Sequence, residues 1–196
     1  CGITFWRDLK LKVTNKVLIP RPETELIVDI VFNIFRKKSE KLFFAELGTG
    51  SGAISIALAL AYPLSEGLAT DIDQDALDIA TENFINSSKQ SNLKFYCGNW
   101  WSPLESFKGK LDLAISNPPY IPRDTYEKLP KEVKDFEPKV ALLGGEDGLK
   151  HIREIIHKAP LFLKENGWLI LENHFDQSEK VKQLLIKNKF TSIEIV

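Results

Sequence analysis

The tetrad NPPY, residues 117–120, follows directly after the apolar run LDLAIS at residues 111–116. Proline has no backbone N–H to donate to a sheet ladder and fixes its own φ angle, so a strand over this run must end at Ser116. The segment that follows is a rigid loop, and α/β proteins bind their ligands at the carboxyl ends of buried strands. The tetrad is therefore either a site that presents the amide of Asn117 or a stiff turn, and by itself it favours neither.

A glycine-rich turn in the segment AELGTGSGAIS joins another apolar run to a helical pattern. Glycine lets the backbone turn tightly and approach a ligand closely, but dinucleotide-binding enzymes contain a similar turn, so the glycines alone are a weak signal. Two features favour a ligand other than a dinucleotide. The glycine spacing is GxGxG, and the acidic Glu46 precedes the turn. Asp71 ends the next apolar run, where a carboxylate can accept two hydrogen bonds from a ribose diol. Adenosine without a pyrophosphate, as in S-adenosylmethionine, fits this arrangement.

Trp100 lies just beyond a third apolar run, NLKFYC, next to Asn99. Its indole offers a flat face to an adenine ring. A tryptophan that belongs to the core is nearly as good an interpretation, and spacing alone leaves both open.

Strand and helix patterns alternate along the chain, and this alternation predicts the fold. One or two short strands are expected within residues 3–19, and six more at residues 41–47, 67–73, 92–97, 111–116, 167–173 and 190–196. Helical crossovers require parallel strands, so we predict an α/β fold with a mostly parallel sheet flanked by helices. The carboxyl ends of parallel strands share one edge, where the glycine turn, Asp71, Trp100 and NPPY should converge. That convergence favours a functional site over a stiff turn.

Composition limits the class of protein. The 196 residues suit one domain with a sizeable core, and a formal net charge of −1 argues against a dedicated nucleic-acid-binding protein, which usually carries a basic face. No apolar run is long enough to span a bilayer and no signal-peptide pattern is present, so we expect a cytoplasmic protein. His151, His157 and His174 lack metal-ligand spacing, so we interpret them as ordinary surface or satisfied residues and expect no metal.

Five segments follow one another along the chain, namely LIPRPETELIV, ELGTGSGAISIALA, TDIDQDALDIATEN, SNPPYIP and FEPKVALLGGEDGL. In sequence and order they resemble the HemK/PrmC family, which methylates the side-chain amide of a glutamine in peptide release factors. The resemblance extends from about Phe5 to Glu172. NPPY alone is shared with enzymes that methylate exocyclic amines of nucleic-acid bases, whereas LIPRPETE together with FEP and GGEDGL resembles the release-factor branch. The ribosomal-protein branch, also specific for glutamine, usually differs at residues 21–25.

The resemblance implies a Rossmann-like methyltransferase dependent on S-adenosylmethionine, with a seventh, antiparallel strand and a preceding helical domain that binds the release factor. Neither of these two parts is evident in the sequence, which begins with Cys1 and contains no methionine. We therefore expect residues 1–40 to lead into a methyltransferase domain at residues 41–196, with other parts of the protein missing.

The resemblance also implies a role for each matched residue. The glycine turn would surround the methionine part of the cofactor, Asp71 would bind the ribose, and Trp100 would lie by the adenine. Asn99 stands where the family often has aspartate, and it can accept from the adenine amino group only without charge assistance. The expected cofactor-binding residues are Glu46, Gly48, Thr49, Gly50, Ser51, Gly52, Asp71, Asn99, Trp100 and Asn117. Those expected to act on the substrate are Asn117, Pro118, Pro119 and Tyr120.

A carboxamide nitrogen is a poor nucleophile, so the expected enzyme needs alignment more than a strong base. The side-chain oxygen of Asn117 and the carbonyl of Pro118 can accept the two hydrogens of the substrate amide, and Tyr120 can pack on the amide or gate its entry. The expected substrate is the glutamine in the GGQ motif of a release factor, and no direct nucleic-acid binding is expected. The rivals are a methyltransferase of nucleic-acid bases, a ribosomal-protein glutamine methyltransferase, and a nucleotide-binding module or dehydrogenase, which leaves NPPY without a role.

Overall fold

The computed structural model describes residues 2–37, 41–87 and 92–196, and its strands form two separate sheets. A small antiparallel sheet pairs β1 (Ile3–Trp6) with β2 (Leu9–Lys12). The larger sheet contains β3 (Phe43–Leu47), β4 (Glu66–Asp71), β5 (Asn92–Cys97), β6 (Leu111–Ser116) and β7 (Leu163–Leu171). Its strand order is β5-β4-β3-β6-β7, and every neighbouring pair is parallel. The predicted α/β fold with a mostly parallel sheet is therefore confirmed.

Eight α-helices connect or flank these strands in the described part of the chain. They are α1 (Glu25–Ile34), α2 (Ala53–Ala61), α3 (Gln74–Ser87), α4 (Arg123–Glu127), α5 (Lys131–Phe136), α6 (Lys139–Leu142), α7 (Lys150–Phe162) and α8 (Ser178–Lys187). Each of the short helices α4, α5 and α6 begins directly after a proline. Proline is favourable at the start of a helix, because the N–H that it lacks would have no partner within the helix there. Together these three helices occupy most of the proline-rich segment after NPPY.

The larger sheet is buried on both faces, which explains why its strands read as short continuous apolar runs. Neighbouring residues of β3 belong to different clusters, because successive side chains of a strand point to opposite faces. Phe44 packs with α1 and α2 on one face, and Ala45 packs with α7 on the other. The second face also holds Trp101, which stacks on Phe162 with ring centroids 4.5 Å apart. Trp101 is therefore the core tryptophan of the adjacent pair, and Trp100 is left at the edge of the sheet.

The predicted strand at residues 190–196 is wrong, since the structure has no strand there. Lys189 and Ser192 adopt positive φ angles of 67° and 52°, which interrupt an extended run. Phe190 packs against the core, but Ile195 and Val196 are exposed. The apolar composition of this segment thus serves one anchoring contact and no pairing with β7.

Asn83 of α3 ties the small sheet to the glycine turn. Its side-chain oxygen accepts from the backbone N–H of Lys12 at 2.7 Å, and its side-chain nitrogen donates to the carbonyls of Lys12 and Ser51 at 3.0 and 2.9 Å. Val13 and Val17 add an apolar contact with α3. These interactions hold the segment after β2 against the carboxyl edge of the larger sheet.

Candidate active site

A cleft opens at the carboxyl edge of the larger sheet, and the structure brings most of the predicted site residues together around it. The predicted residues that line the cleft are Glu46, Gly48, Thr49, Gly50, Ser51, Asp71, Asn99, Trp100, Asn117 and Pro119. They come from the ends of β3, β4, β5 and β6. The parallel topology therefore explains their convergence, because it places the carboxyl ends of all four strands at one edge.

Gly52, Pro118 and Tyr120 are the predicted site residues that do not line the cleft. A Cβ atom at Gly52 would lie 2.9 Å from the Cδ1 atom of Ile56 and 3.2 Å from the Cβ atom of Ala80, at a φ angle of 83°. Glycine is thus required there for the packing of α2 against α3. Pro118 is buried.

The Tyr120 side chain is engaged elsewhere. Its hydroxyl donates to the Oε1 atom of Glu172 at 3.1 Å, and its ring packs beside an apolar cluster of α7 and α8. Burial is the main cause that raises the pKa of Tyr120 above its ordinary value, and the nearby Glu172 raises it further. The hydroxyl therefore stays protonated, and its contacts fix the end of the NPPY loop.

The glycine turn is fastened to the neighbouring strand by its backbone. The N–H groups of Gly48 and Thr49 both donate to the carbonyl of Thr70, at 2.8 and 2.9 Å. Gly48 has a φ angle of 74°, and a Cβ atom there would lie 3.0 Å from the ring of Trp100. Because glycine has no Cβ atom, the ring of Trp100 can pack closely against the backbone of the turn at this position. At Gly50, a Cβ atom would meet nothing within 4 Å, so the backbone there is open to a ligand.

The buried carboxyl of Glu46 organises the inner end of the cleft. Its Oε2 atom accepts from the Thr49 hydroxyl at 2.6 Å, from the Ser55 N–H at 3.0 Å and from the Ser55 hydroxyl. Burial raises the pKa of Glu46 to about 7, against the lowering effect of these three donors. No described residue bonds Oε1, which leaves that oxygen for a ligand.

Glu46 should make the stability of the protein depend on pH. In the unfolded chain its pKa is near 4.5, so the folded form retains a proton between pH 4.5 and about 7 that the unfolded form has lost. The free energy of unfolding should therefore fall as the pH rises through this window, by about 3 kcal/mol at most, and level off above it. Denaturant unfolding of wild type and Glu46→Gln from pH 5 to 8 measures the effect, since glutamine does not titrate. A constant difference between the two proteins would contradict the assignment.

Asp71 ends β4 with its carboxylate held in place by two backbone groups. Oδ2 accepts from the N–H of Gly50 at 2.9 Å, and Oδ1 accepts from the N–H of Asp73 at 3.1 Å. Burial raises its pKa, and these hydrogen bonds oppose that rise. Each carboxylate oxygen can accept more than one hydrogen bond. Asp71 can therefore bind two further donors in the cleft without leaving its place.

Asn117 is the first residue of the NPPY loop and directly follows the end of β6. The hydroxyl of the preceding Ser116 donates to the carbonyl of Leu47 at 2.6 Å, which ties the end of β6 to the end of β3. The side-chain nitrogen of Asn117 donates to the Oγ1 atom of Thr24 at 3.1 Å. No described residue donates to the side-chain oxygen of Asn117, so that oxygen is the atom left to accept from a ligand.

The sequence analysis did not predict two groups of residues that line the cleft. Lys16, Val17, Leu18, Pro20 and Thr24 precede α1, and Pro138, Val140, Ala141 and His151 follow NPPY. The first group precedes the larger sheet in sequence, and it reaches the cleft through the contact of Val17 with α3 and the hydrogen bond of Thr24 with Asn117. For these groups, apart from His151, the available signal was the RPETE and FEP segments singled out by the resemblance, because they contain Thr24 and Pro138.

His151 corrects the expectation that all three histidines are ordinary surface or satisfied residues. It is half-buried in the cleft wall, with its ring centroid 5.4 Å from that of Trp100. Its Nδ1 atom and the Nε1 atom of Trp100 are both buried, and neither has a hydrogen-bond partner among the described residues. Burial lowers the pKa of His151. These two unpaired nitrogens mark a place where a ligand could supply partners.

An ion pair joins the RPETE segment to the FEP segment. The Nη2 atom of Arg21 lies 2.5 Å from the Oε1 atom of Glu137, and the Glu137 side chain is 8% exposed while that of Arg21 is 41% exposed. The Trp6 indole also donates to the Arg21 carbonyl at 2.8 Å. The pair therefore fixes the loop before α6 to the segment before α1.

Arg21→Ala should lower the free energy of unfolding by about 1–3 kcal/mol, because it leaves the buried Glu137 carboxylate without its partner. Arg123→Ala is the matched control, since it breaks an exposed pair with Glu146 and should cost less than about 1 kcal/mol. Denaturant unfolding of both variants decides the matter. Equal losses would show that Glu137 does not depend on Arg21.

The described residues contain no cluster of three or more histidine, cysteine or acidic side chains that could hold a metal ion. Likewise, no helix in the described ranges is both long and apolar enough to cross a bilayer.

Known proteins resemble this chain in sequence. The profile of the family described as "Methyltransferase small domain" matches residues 26–130. The chain is 42% identical over 193 residues to the release factor glutamine methyltransferase of Prochlorococcus marinus, covering 96% of this chain and 65% of that protein. It is 43% identical over 187 residues to the protein of the same name from Synechocystis sp., covering 94% of this chain and 62% of that protein. The chain thus spans less than two thirds of the length of these two relatives.

Two solved structures share the fold. A methyltransferase from Pyrococcus furiosus aligns with a TM-score of 0.66 at 20% identity and covers 96% of this chain and 82% of its own. A SAM-dependent methyltransferase from Agrobacterium tumefaciens aligns with a TM-score of 0.66 at 15% identity and covers 94% and 57%. At these identities the likeness concerns the fold, and it agrees with the predicted Rossmann-like methyltransferase architecture.

Proposed function

Because the chain belongs to the methyltransferase small domain family, we propose that it transfers a methyl group from S-adenosylmethionine to a side-chain amide nitrogen of a peptide chain release factor. The acceptor is the glutamine of the GGQ motif. The observation that carries this proposal is the hydrogen bonding of Asn117, whose nitrogen is held by Thr24 and whose oxygen is left open in the cleft. The names of the two relatives support the substrate class.

The cleft fits S-adenosylmethionine in the chemistry of its donors and acceptors. The open backbone at Gly50 accommodates the methionine part, and the spare lone pairs of Asp71 suit the two ribose hydroxyls. Trp100 presents an aromatic face to adenine, and its unpaired Nε1 atom is a further donor. Asn99 is exposed beside it and can accept from the adenine amino group.

S-adenosylmethionine supplies an already activated methyl group, so the protein has to orient the amide more than it has to activate it. The Asn117 oxygen and the Pro118 carbonyl accept the two amide hydrogens and leave the nitrogen lone pair free of hydrogen bonds. Both bonds strengthen as the nitrogen gains positive character in the transition state, which lowers the barrier. The two prolines keep the loop rigid, so the alignment costs little entropy when the substrate binds. The amide proton leaves to water after transfer.

The proposal extends to the partner and the compartment. A release factor is the protein partner, direct nucleic-acid binding is not needed, and the cytoplasm, where translation ends, is the place of action. The net charge of −1 supports a protein substrate over a nucleic acid, because enzymes that act on nucleic acids usually carry a basic face.

Competition among substrates tests this function. The protein is incubated with radiolabelled S-adenosylmethionine and equal amounts of release factor, ribosomal protein, DNA and RNA. The label should appear in the release factor. Label confined to the ribosomal protein or to a nucleic acid would support a rival methyltransferase, and no label in any of the four would overturn the proposed methyl transfer.

A further inference from the structure

Thr24 is the partner of the Asn117 amide, although the two residues lie 93 positions apart. The Asn117 Nδ2 atom donates to the Thr24 Oγ1 atom at 3.1 Å. Thr24 is only 4% exposed, and it lines the cleft beside Asn117. The contact therefore connects the turn that precedes α1 with the loop that follows β6.

The torsion at the end of an asparagine side chain is broad, so an unrestrained amide presents its oxygen and nitrogen in many directions. The NPPY loop fixes the backbone of Asn117 but leaves this torsion free. A hydrogen bond from Nδ2 restricts the torsion and turns Oδ1 toward the opposite side. We propose that Thr24 is a positioning residue, which holds the Asn117 oxygen in the direction where it accepts from the substrate amide.

The segment that carries Thr24 is itself well supported. The backbone N–H of Thr24 donates to the Arg21 carbonyl at 3.2 Å, and the Trp6 indole donates to the same carbonyl. The Arg21 side chain binds the buried Glu137. These contacts hold Thr24 in place, and a residue has to be held in place if it is to orient Asn117.

This inference rests on the proposed function and concerns the same site. Thr24→Val replaces the hydroxyl with a methyl group of similar size, and Thr24→Ala removes the hydroxyl together with the γ-methyl group. Both should lower kcat for methylation of the release factor by about 10- to 100-fold, the loss expected when a buried polar group loses its partner. The Kd for S-adenosylmethionine should stay within about threefold, because Thr24 touches Asn117, whose oxygen the proposed function assigns to the substrate amide, and bonds none of the other residues expected to bind the cofactor. Thr24→Ser keeps the hydroxyl and should restore most of the rate.

The measurements are kcat and KM for an intact release factor and the Kd for the cofactor by calorimetry, with wild type and the three variants. A kcat of Thr24→Val and Thr24→Ala within about threefold of an active wild type overturns the inference alone. An equal loss in Thr24→Ser overturns it as well, since packing and not the hydroxyl would then matter. An inactive wild type overturns the proposed function and this inference together.

Discussion

Asn117→Ala should slow methyl transfer by about a hundredfold to a thousandfold, which is the usual cost of removing one group that stabilises a developing charge. The side-chain oxygen of Asn117 is the acceptor that the structure leaves open in the cleft, and alanine has nothing to replace it. The fold should persist, because Ser116 and Tyr120 hold the loop through their own hydrogen bonds. Single-turnover rates with a glutamine substrate measure the effect.

Asn33→Ala is the matched control for this variant, because it removes an exposed asparagine on α1. Its rate should equal that of wild type. Cofactor affinity should also be largely retained in Asn117→Ala, which separates a defect in transfer from a defect in binding. A single-turnover rate of Asn117→Ala within a few-fold of wild type would show that Asn117 is not the amide acceptor.

Asp71→Ala should weaken the binding of S-adenosylmethionine by at least about a hundredfold, because two hydrogen bonds to a charged group, about 1.5 kcal/mol or more each, are lost. Both carboxylate oxygens are already oriented by Gly50 and Asp73, so they meet the ribose hydroxyls without further ordering. Calorimetry with the cofactor measures the change. Asp78→Ala, which removes an exposed acidic residue of α3, should bind as wild type does.

Asp71 also supports the glycine turn, so loss of affinity alone does not locate its role in the ribose site. The comparison of S-adenosylhomocysteine with its 2′-deoxy analogue does so. Wild type should prefer the ribose form, and Asp71→Ala should bind the two compounds alike. A preference that survives in Asp71→Ala would assign the ribose to another residue.

The sheet and its functional edge could be predicted because they depend on local patterns. Apolar runs ending in glycine, aspartate or NPPY predict parallel strands whose carboxyl ends meet, and Glu46, Asp71 and Asn117 do line one cleft. For the final apolar segment, residues 190–196, the same reasoning gave a wrong prediction. A strand needs a pairing partner and backbone angles that the composition does not specify. The positive φ angles of Lys189 and Ser192 prevent an extended run there.

Side-chain partners across long sequence separations could not be predicted in this way. The Thr24–Asn117 bond and the Arg21–Glu137 pair join segments that become neighbours only when the fold is complete. Spacing left Trp100 open between a core residue and an adenine-binding residue. The structure buries the adjacent Trp101 in the core and places Trp100, partly buried, against that core and in the cleft wall. The role of His151 in the cleft wall had no sequence signal.

The domain division expected at residues 40 and 41 stays a prediction, because residues 38–40 lie outside the described ranges. Cys1 also lies outside the described ranges. Within the described part, the segment before α1 contributes a wall of the cleft through Lys16, Val17 and Thr24. We therefore propose that this N-terminal segment works as part of the active site.

Tandem mass spectrometry of a release factor treated with this protein and trideuteromethyl-labelled S-adenosylmethionine tests the central claim most directly. A single labelled methyl group should be found on the side-chain nitrogen of the glutamine in the GGQ motif, and a release factor with glutamate in that place should remain unlabelled. A label on another residue, or an unlabelled release factor in the presence of bound cofactor, would contradict the proposed glutamine methylation.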